Sequence, residues 1–439
     1  MSLHRRTALR LGGSILVGAL AGCLGQTDDR PGTDDTATTQ PPTDQPATET
    51  ETSDADDPAA FPRWEPSWSV VLGDGSRNVV GLDTFDGLLY ATTSDDAFAS
   101  GVAAITPGDG VRWSRTFEGS PLDWERVVTD RSVYVVSGTQ APGLGWSELY
   151  ALNRETGETR WSERRERSFD VYGVVGDVVV ANAREYNDET HSHAESFVGG
   201  TVVGLDVETG EERWRYDVSK PDSGVVAGDT ALVVDGTELV ALAGDGTERR
   251  TVDIGGPTNE PLATDHGVYL TTDAGVRAHE PDGQTRWTKS LPRGAFHRVA
   301  GDSRVYVSSD GIYAIEADGS VAWHHEELGS ARWASPRNGH LYVGRNGKEN
   351  DQYVESLSTA DGSVEWTFDP DPPILNQVAA TDELCLAEEA IDDILYGIRA
   401  ADGSVRGRFQ PGSTLFDVEP LDGTVYVADS TATVYELPP

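Results

Sequence analysis

Short alternations of apolar and polar residues recur along the chain, each followed by a turn and a second alternation that ends on a large side chain. The unit is clearest at residues 150–161 (YALNRETGETRW). Copies occur at residues 203–214, 312–323 and 355–366, and weaker ones end at Trp113, Arg250, Trp287 and Phe409. A period of two predicts strands, and repeats of roughly 36–53 residues with several strands each are typical of propeller blades. The sequence therefore predicts an all-β chain folded as a single β-propeller of four-stranded blades.

The large residues that end the outer strands allow the blades to be counted. These markers are Trp68, Trp113, Trp161, Trp214, Arg250, Trp287, Trp323, Trp366 and Phe409, which gives nine blades. Residues 414–437 supply three strands and then the chain stops, whereas Trp68–Val71 is an outer strand with no blade before it. Pairing the two would close the ring and leave no exposed edge.

The first 22 residues have the features of an export signal. Arg5 and Arg6 precede an apolar run, residues 11–22, that is too short to span a bilayer. Leu20, Ala21 and Gly22 then lead directly into Cys23. The segment resembles a twin-arginine signal followed by a lipoprotein box, which implies that Cys23 carries a lipid; an ordinary secretory peptide with an incidental cysteine is the alternative. We expect anchoring at the outer face of the cytoplasmic membrane, on the extracellular side.

Residues 23–63 form a linker of Thr, Asp, Pro and Gly with little apolar content. Such a segment buries too little apolar surface to offset its chain entropy, so we expect a disordered tether. Residues 64–439 then form the propeller domain.

Charge narrows the possible source and partners. The chain holds 74 acidic against 34 basic residues, a net charge of −40, and its lysines are Lys220, Lys289 and Lys348. A carboxylate-rich surface stays hydrated in concentrated salt, which also screens its self-repulsion. This indicates a halophilic source. Nucleic-acid binding is disfavoured because no basic face is available to pair with phosphates.

The repeated units resemble the quinoprotein-type, PQQ-like propeller repeat, Val-Tyr-Val-turn-Leu-Tyr-Ala-Leu-Asp-x-x-Thr-Gly-x-x-x-Trp, over nearly all of residues 64–439. The chain looks most like the non-enzymatic, BamB-like lipoproteins, here from a halophilic archaeon. The resemblance implies eight blades, against the nine counted above. It also implies that a Trp on each outer strand packs against the adjacent blade. Such docking residues would be Trp68, Trp113, Trp161, Trp214, Trp287, Trp323 and Trp366. Since Arg250 and Phe409 replace the Trp in two units, we expect looser interfaces there.

Enzymatic relatives use pyrroloquinoline quinone and Ca²⁺, and the alcohol-oxidising branch has a disulfide between adjacent cysteines over the cofactor. This chain has no adjacent cysteines, so we expect neither PQQ nor Ca²⁺. Cys385 lies between apolar residues and is expected to be core packing. His191 and His193, near acidic residues, could ligate a metal, but a solvated loop is the commoner case and no metal site is assigned.

Segments between each outer strand and the next inner strand should gather at the mouth of the central channel. Aromatic, Arg and amide side chains there suit a binding surface, although they could equally fill the channel. The candidates are Trp124, Arg126, Asn259, His297, Arg332, Trp333 and Asn376. The sequence thus predicts a monomeric, lipid-anchored scaffold that binds a protein partner without catalysis. A PQQ-dependent dehydrogenase and a glycan-binding surface protein are the alternatives.

Overall fold

Nine antiparallel sheets follow one another along the chain in this computed structural model. The structure describes residues 61–73, 77–95, 99–121, 127–139, 145–166, 168–186, 197–256, 260–292, 297–301, 303–326, 331–346, 352–370 and 375–439. Every regular element in these ranges is a strand, and the sheets form a nine-bladed β-propeller. The count of nine is confirmed and the expectation of eight is wrong. Among the described residues, no helix has the length and apolarity needed to cross a membrane.

The strands are numbered along the chain, and each blade is given from its innermost to its outermost strand. The first outer strand is β1 (Trp68–Val71), which belongs to blade 9. Blade 1 contains β2 (Arg77–Phe85), β3 (Leu88–Asp95), β4 (Ser100–Thr106) and β5 (Gly110–Phe117). Blade 2 contains β6 (Ser120–Pro121) and β7 (Val127–Val128) side by side on β8 (Ser132–Thr139), then β9 (Trp146–Asn153) and β10 (Thr159–Arg165). Blade 3 contains β11 (Ser168–Val175), β12 (Val178–Tyr186), β13 (Phe197–Asp206) and β14 (Glu212–Val218).

Blades 4 to 9 follow the same plan. Blade 4 contains β15 (Pro221–Ala227), β16 (Thr230–Asp235), β17 (Glu238–Ala243) and β18 (Glu248–Asp253). Blade 5 contains β19 (Leu262–Thr264), β20 (Gly267–Thr272), β21 (Gly275–His279) and β22 (Thr285–Ser290). Blade 6 contains β23 (His297–Ala300), β24 (Arg304–Ser308), β25 (Ile312–Glu316) and β26 (Val321–His325). Blade 7 contains β27 (Ala331–Arg337), β28 (His340–Asn346), β29 (Gln352–Ser358) and β30 (Val364–Phe368). Blade 8 contains β31 (Leu375–Ala380), β32 (Leu384–Glu389), β33 (Ile394–Arg399) and β34 (Val405–Phe409). Blade 9 contains β35 (Leu415–Leu421), β36 (Thr424–Asp429), β37 (Thr433–Leu437) and the returning β1.

The two ends of the propeller meet in blade 9. Strand β1 pairs antiparallel with β37, from Trp68 opposite Glu436 to Val71 opposite Thr433. Closure by an N-terminal strand in the last blade is therefore confirmed. Inner strands also meet across the seam, where the Leu82 amide of blade 1 donates to Asp417 Oδ2 of blade 9 at 2.6 Å. The ring is thus joined at both its rim and its centre.

Each blade's second strand carries a buried apolar run, and in blades 1, 2, 5, 6 and 7 a Tyr of this run lies near the Trp of the same blade's outer strand. In five blades the two ring centroids are 5.7–6.3 Å apart. Such tilted aromatic pairs add to the area that each ring buries. The period-two pattern therefore places the Tyr on the face that packs towards the Trp.

The Trp side chains also form a repeated contact between blades. Each indole nitrogen donates to the carbonyl of the residue that directly follows the third strand of the next blade, at 2.8–3.0 Å. The donor–acceptor pairs are Trp113–Arg154, Trp161–Val207, Trp214–Gly244, Trp287–Ala317, Trp323–Thr359 and Trp366–Ala400. A buried indole needs such an acceptor, because an unpaired N–H is costly to bury. Trp68 instead lies half-buried on β1 against the core between blades 9 and 1.

The turn glycine of the next blade packs directly against each of these Trp rings. Gly157, Gly210 and Gly319 all have positive φ, and a Cβ at each would approach the Trp ring of the preceding blade within 2.5–2.8 Å. Glycine is therefore required at this position for two reasons. The backbone has positive φ, and the Trp ring leaves no room for a Cβ atom. The repeated Gly of the sequence motif is thus an interface residue as well as a turn residue.

The two interfaces that lack the outer-strand Trp are built differently. Between blades 4 and 5, Arg250 replaces it, and its Cδ lies 3.8 Å from the Cβ position of Gly283 while its Nη2 lies 3.8 Å from Asp282. Between blades 8 and 9, Trp64 occupies the place. Its Nε1 donates to Pro438 O at 2.9 Å, and Pro438 directly follows β37, the third strand of blade 9.

Trp64 reaches this position because the chain before β1 runs along the outer edge of blade 8. The Trp64 amide donates to Arg408 O at 2.7 Å, and the Arg408 amide donates to Pro62 O at 2.8 Å. Trp64 is 4% exposed; its ring packs over Gly397 and its Cβ lies beside Gly407, so larger residues at either position would crowd it. The expected loosening beside Phe409 is therefore wrong, because a Trp from elsewhere in the chain fills that interface.

His279, at the end of β21, should make the stability of the propeller depend on pH in the acid range. Its ring is fully buried and Nδ1 lies 3.2 Å from Gly283 O. Burial lowers the pKa of His279 below its usual value of 6.5. Between that lowered pKa and about 6.5 the unfolded chain binds a proton that the native state does not, so stability should fall as pH falls below about 6.5, by at most about 1.4 kcal/mol per pH unit.

We expect His279→Gln to remove this part of the acid sensitivity. Denaturant unfolding of wild type and variant between pH 7 and the acid limit of the fold measures it. Exposed His266, in the same blade, is the control. The His266→Gln variant should keep the wild-type slope of unfolding free energy against pH, because His279 is still present. Equal slopes for wild type and His279→Gln would contradict the prediction.

Candidate binding surfaces

The predicted mouth residues divide into two groups. His297 is the first residue of β23, Arg332 and Trp333 lie near the start of β27, and Asn376 lies near the start of β31. These are the innermost strands of blades 6, 7 and 8, at the ends that follow the preceding outer strand. Trp124, Arg126 and Asn259 lie outside the described residues. The backbone therefore brings four of the candidates to the same end of three adjacent blades.

A bulge interrupts the start of the inner strand in this region. The register of β27 against β28 shifts between Ala331 and Trp333, and that of β31 against β32 shifts between Leu375 and Gln377. The extra residues are Arg332 and Asn376, two of the predicted mouth residues. Corresponding shifts occur in the inner strands of blades 1, 3, 4 and 9. A bulge bends its strand and redirects a side chain, and bulges are frequent beside functional sites.

Side chains from neighbouring blades hold these inner strands in place. Gln352 of blade 7 accepts from the Leu375 amide of blade 8 at 2.6 Å. Ser147 of blade 2 accepts from the Phe169 amide of blade 3 at 2.9 Å. Together with the bond to Asp417 at the seam, these bonds link the backbone of each inner strand to a side chain of the preceding blade. The mouth end of the propeller is therefore positioned by polar contacts between blades.

A buried ion pair lies behind the mouth in blade 7. Arg345, near the end of β28, is fully buried and forms an ion pair with Glu355 on β29, which is 4% exposed. A buried charge requires an opposite charge nearby, since an unpaired one would cost several kcal/mol. The repeat pattern did not point to this pair, because Glu355 stands at a strand position that is apolar or aromatic in most units.

The opposite ends of the blades contain a cavity of about 460 Å³. It lies where the first turns of blades 6, 7 and 8 meet. Its lining is Gly301, Ser303, Arg304, Tyr306, Pro336, Arg337, Asn338, Gly339, Thr359 and Asp382. No residue of this set was among the sequence-based candidates, because the repeat pattern places most of them in turns, and Tyr306 in a buried strand.

Each arginine of this lining has a carboxylate partner. Arg304 donates from Nε to Glu316 Oε1 at 2.8 Å and from Nη1 to the Thr359 carbonyl, and Glu316 raises the pKa of Arg304. Arg337 donates from Nε to Asp382 Oδ1 at 2.5 Å. The Thr359 carbonyl also accepts from Trp323, so the wall of the cavity is continuous with the contact between blades 6 and 7.

The match to a protein family covers most of this architecture. Residues 99–259 and 272–414, more than half of the 439-residue chain, match the family described as outer membrane protein assembly factor BamB. The chain belongs to this PQQ-like, BamB family. A comparison with curated proteins gives no match.

Solved structures of similar fold include proteins of different kinds. BamB from Moraxella catarrhalis is 14% identical, with a TM-score of 0.52, over 85% of this chain and 97% of that one. The designed protein Ika8 is 12% identical, with a TM-score of 0.50, over 84% and 99% of the two chains. The quinohemoprotein alcohol dehydrogenase of Comamonas testosteroni is 13% identical, with a TM-score of 0.48, over 85% and 76%. At these identities the likeness to BamB and Ika8 shows the propeller fold alone.

The cysteines of this BamB-family chain do not fit the arrangement of the alcohol-oxidising relatives. Its two cysteines are Cys23 and Cys385, so the disulfide of adjacent cysteines has no counterpart. Cys385 is fully buried in β32, and burial raises the pKa of its thiol, which keeps it protonated. Within the described ranges, no three His, Cys, Asp or Glu side chains are grouped so as to hold a metal ion. His191 and His193 lie outside those ranges.

Proposed function

We propose that this protein is a lipid-anchored, extracytoplasmic scaffold that binds a protein partner and catalyses no reaction. The observation that carries the proposal is membership of the BamB family, whose description is that of an assembly factor. The bulged inner strands support it, because they bring Arg332, Trp333 and Asn376 to one end of adjacent blades. A partner that contacts this end would be held by a few aromatic and Arg anchors, as in other interfaces.

The anchor is part of the proposal and rests on Cys23 and the residues before it. Changing Cys23 to Ser should release the protein from the membrane or leave it as uncleaved precursor. Fractionation of cells that express the wild type or Cys23→Ser measures the difference. If the correctly cleaved variant remains in the membrane fraction, the lipid anchor is wrong.

The partner-binding end is tested by the double change Trp124→Ala with Trp333→Ala. Cross-linking at native salt, followed by purification, should lose the partner that the wild type retains, while the thermal unfolding midpoint stays nearly unchanged. Trp64→Phe is a control, since it changes a Trp at the rim between blades 8 and 9 instead of the mouth. Retention of the same partner by the double variant would contradict the proposed surface.

The enzymatic alternative has a direct test of its own. Purified protein is incubated with pyrroloquinoline quinone and Ca²⁺, separated from free cofactor, and its absorbance spectrum is recorded. A scaffold should retain no quinone. Retained quinone together with alcohol- or sugar-dependent reduction of a dye would overturn the non-catalytic proposal.

A further inference from the structure

The cavity between the first turns of blades 6, 7 and 8 has the size of a small-molecule site. Its volume of about 460 Å³ lies within the range of about 300–1,000 Å³ that small-molecule sites occupy. Its walls are also held in place. The Thr359 amide and hydroxyl both donate to Gly339 O, at 2.9 and 3.0 Å, while Asn338 Nδ2 lies 3.4 Å from Asp382 O. The turns of blades 7 and 8 are therefore joined across the cavity before any ligand is present.

The charges of the lining favour a ligand with no net charge. Arg304 is neutralised by Glu316, and Arg337 by Asp382. An added anion would find no unpaired arginine among these residues and would approach a chain of net charge −40. An added cation would compete with an arginine for its carboxylate. An apolar ligand would bury the polar groups of the lining without replacing their hydrogen bonds to water.

The free groups of the Arg337–Asp382 pair match hydroxyl groups. Arg337 uses Nε for Asp382 Oδ1, which leaves its two terminal nitrogens and Asp382 Oδ2 without a partner among the described residues. A hydroxyl group donates one hydrogen bond and accepts others. Two hydroxyls on neighbouring carbons could accept from the guanidinium and donate to the carboxylate at the same time. Ser303 and Asn338 add further polar groups, and Pro336 adds an apolar surface for a C–H face.

We propose that this cavity binds a neutral sugar unit through the Arg337–Asp382 pair. The site lies at the end of the blades opposite the predicted mouth, so it stands independently of the partner-binding proposal. A pyranose presents adjacent hydroxyls on a compact ring, which is the hydrogen-bonding pattern that the pair leaves open.

The experiment measures binding of methyl glycosides of glucose, galactose and mannose, and of N-acetylglucosamine, to the full chain in concentrated salt. Saturation-transfer difference NMR detects weak contacts, and titration gives the affinity. We expect at least one of these sugars to bind. Asp382→Asn and Arg337→Gln should each weaken binding about tenfold or more, because each removes a hydrogen bond to a charged group.

The matched control is Asp229→Asn. Asp229 also lies in the first turn of its blade and pairs with an arginine, Arg249, at 2.7 Å. The side-chain exposures of the two pairs are similar, 35% and 76% for Arg249 and Asp229 against 33% and 65% for Arg337 and Asp382. This control lies outside the cavity lining, so its sugar affinity should stay within about twofold of wild type.

Three results would overturn the proposal. The first is that none of the four sugars binds. The second is that sugar binding is unchanged in both Asp382→Asn and Arg337→Gln while their unfolding midpoints match the wild type. The third is that acetate or phosphate displaces the sugar at equal concentration, which would make this an anion site. Loss of the partner at the mouth would affect none of these measurements.

Discussion

Replacing Trp64 by Ala should destabilise the propeller by about 3–5 kcal/mol, the usual cost of truncating a large buried aromatic residue. The ring is 4% exposed, fills the interface between blades 8 and 9, and donates its N–H to Pro438. The Ala variant would leave a cavity over Gly397 and an unpaired carbonyl at Pro438. Because Trp64 also joins the chain before β1 to blade 8, we expect unfolding to begin at the interface between blades 8 and 9.

Equilibrium denaturation in concentrated salt, followed by circular dichroism, measures the effect. Trp68→Ala is the control, four residues further along the same segment. Trp68 is half-buried, so its loss should cost clearly less. A Trp64→Ala variant as stable as Trp68→Ala would show that Trp64 does not replace the missing Trp of blade 8.

Changing Gly210 to Ala should cost about 2–5 kcal/mol, from two separable causes. The first is the left-handed backbone, φ 74°, which costs an L-residue about 1–2 kcal/mol. The second is a collision, since the new Cβ would lie 2.7 Å from the ring of Trp161. That ring is held by its bond to Val207 O at 3.0 Å, so relieving the overlap requires the interface between blades 2 and 3 to shift.

Gly176→Ala separates the two causes. Gly176 lies in the same blade with φ 61°, and no atom lies within 4 Å of its Cβ position. It should therefore show the backbone cost alone. The difference between the two variants in free energy of unfolding reports the Trp contact. If Gly210→Ala and Gly176→Ala are equally destabilised, the turn glycine has no role in the interface beyond its conformation.

Both predictions concern the contact between a Trp and the neighbouring blade. Together they describe how adjacent blades of the propeller are held to each other. The six blade interfaces whose Trp donates to the next blade use the equivalent carbonyl and the equivalent turn glycine. Where the outer-strand Trp is absent, its place is taken by an arginine, as at Arg250, or by a Trp from a distant segment, as at Trp64. The interface between blades 8 and 9 therefore depends on the segment before β1, which connects the propeller to the proposed membrane anchor.

The sequence by itself determined the strand pattern, the number of blades and the closure. These properties depend on local alternation and on repeats, and both are visible along the chain. The large residues that end the outer strands mark one position in each blade, Trp in seven blades and Arg250 or Phe409 in the other two, so nine markers predicted nine sheets. Closure followed because Trp68–Val71 and residues 433–437 were each incomplete without the other.

The tertiary structure decided what lies between blades. Trp64 could not be assigned to blade 8 from sequence, because its acceptor, Pro438, is 374 residues away. The bulges at Arg332 and Asn376 depend on the pairing register, which no single strand specifies. The cavity around Arg337 and Asp382 joins turns from three repeats. Each turn alone resembles an ordinary connection, and only the packing of neighbouring blades brings their polar groups together.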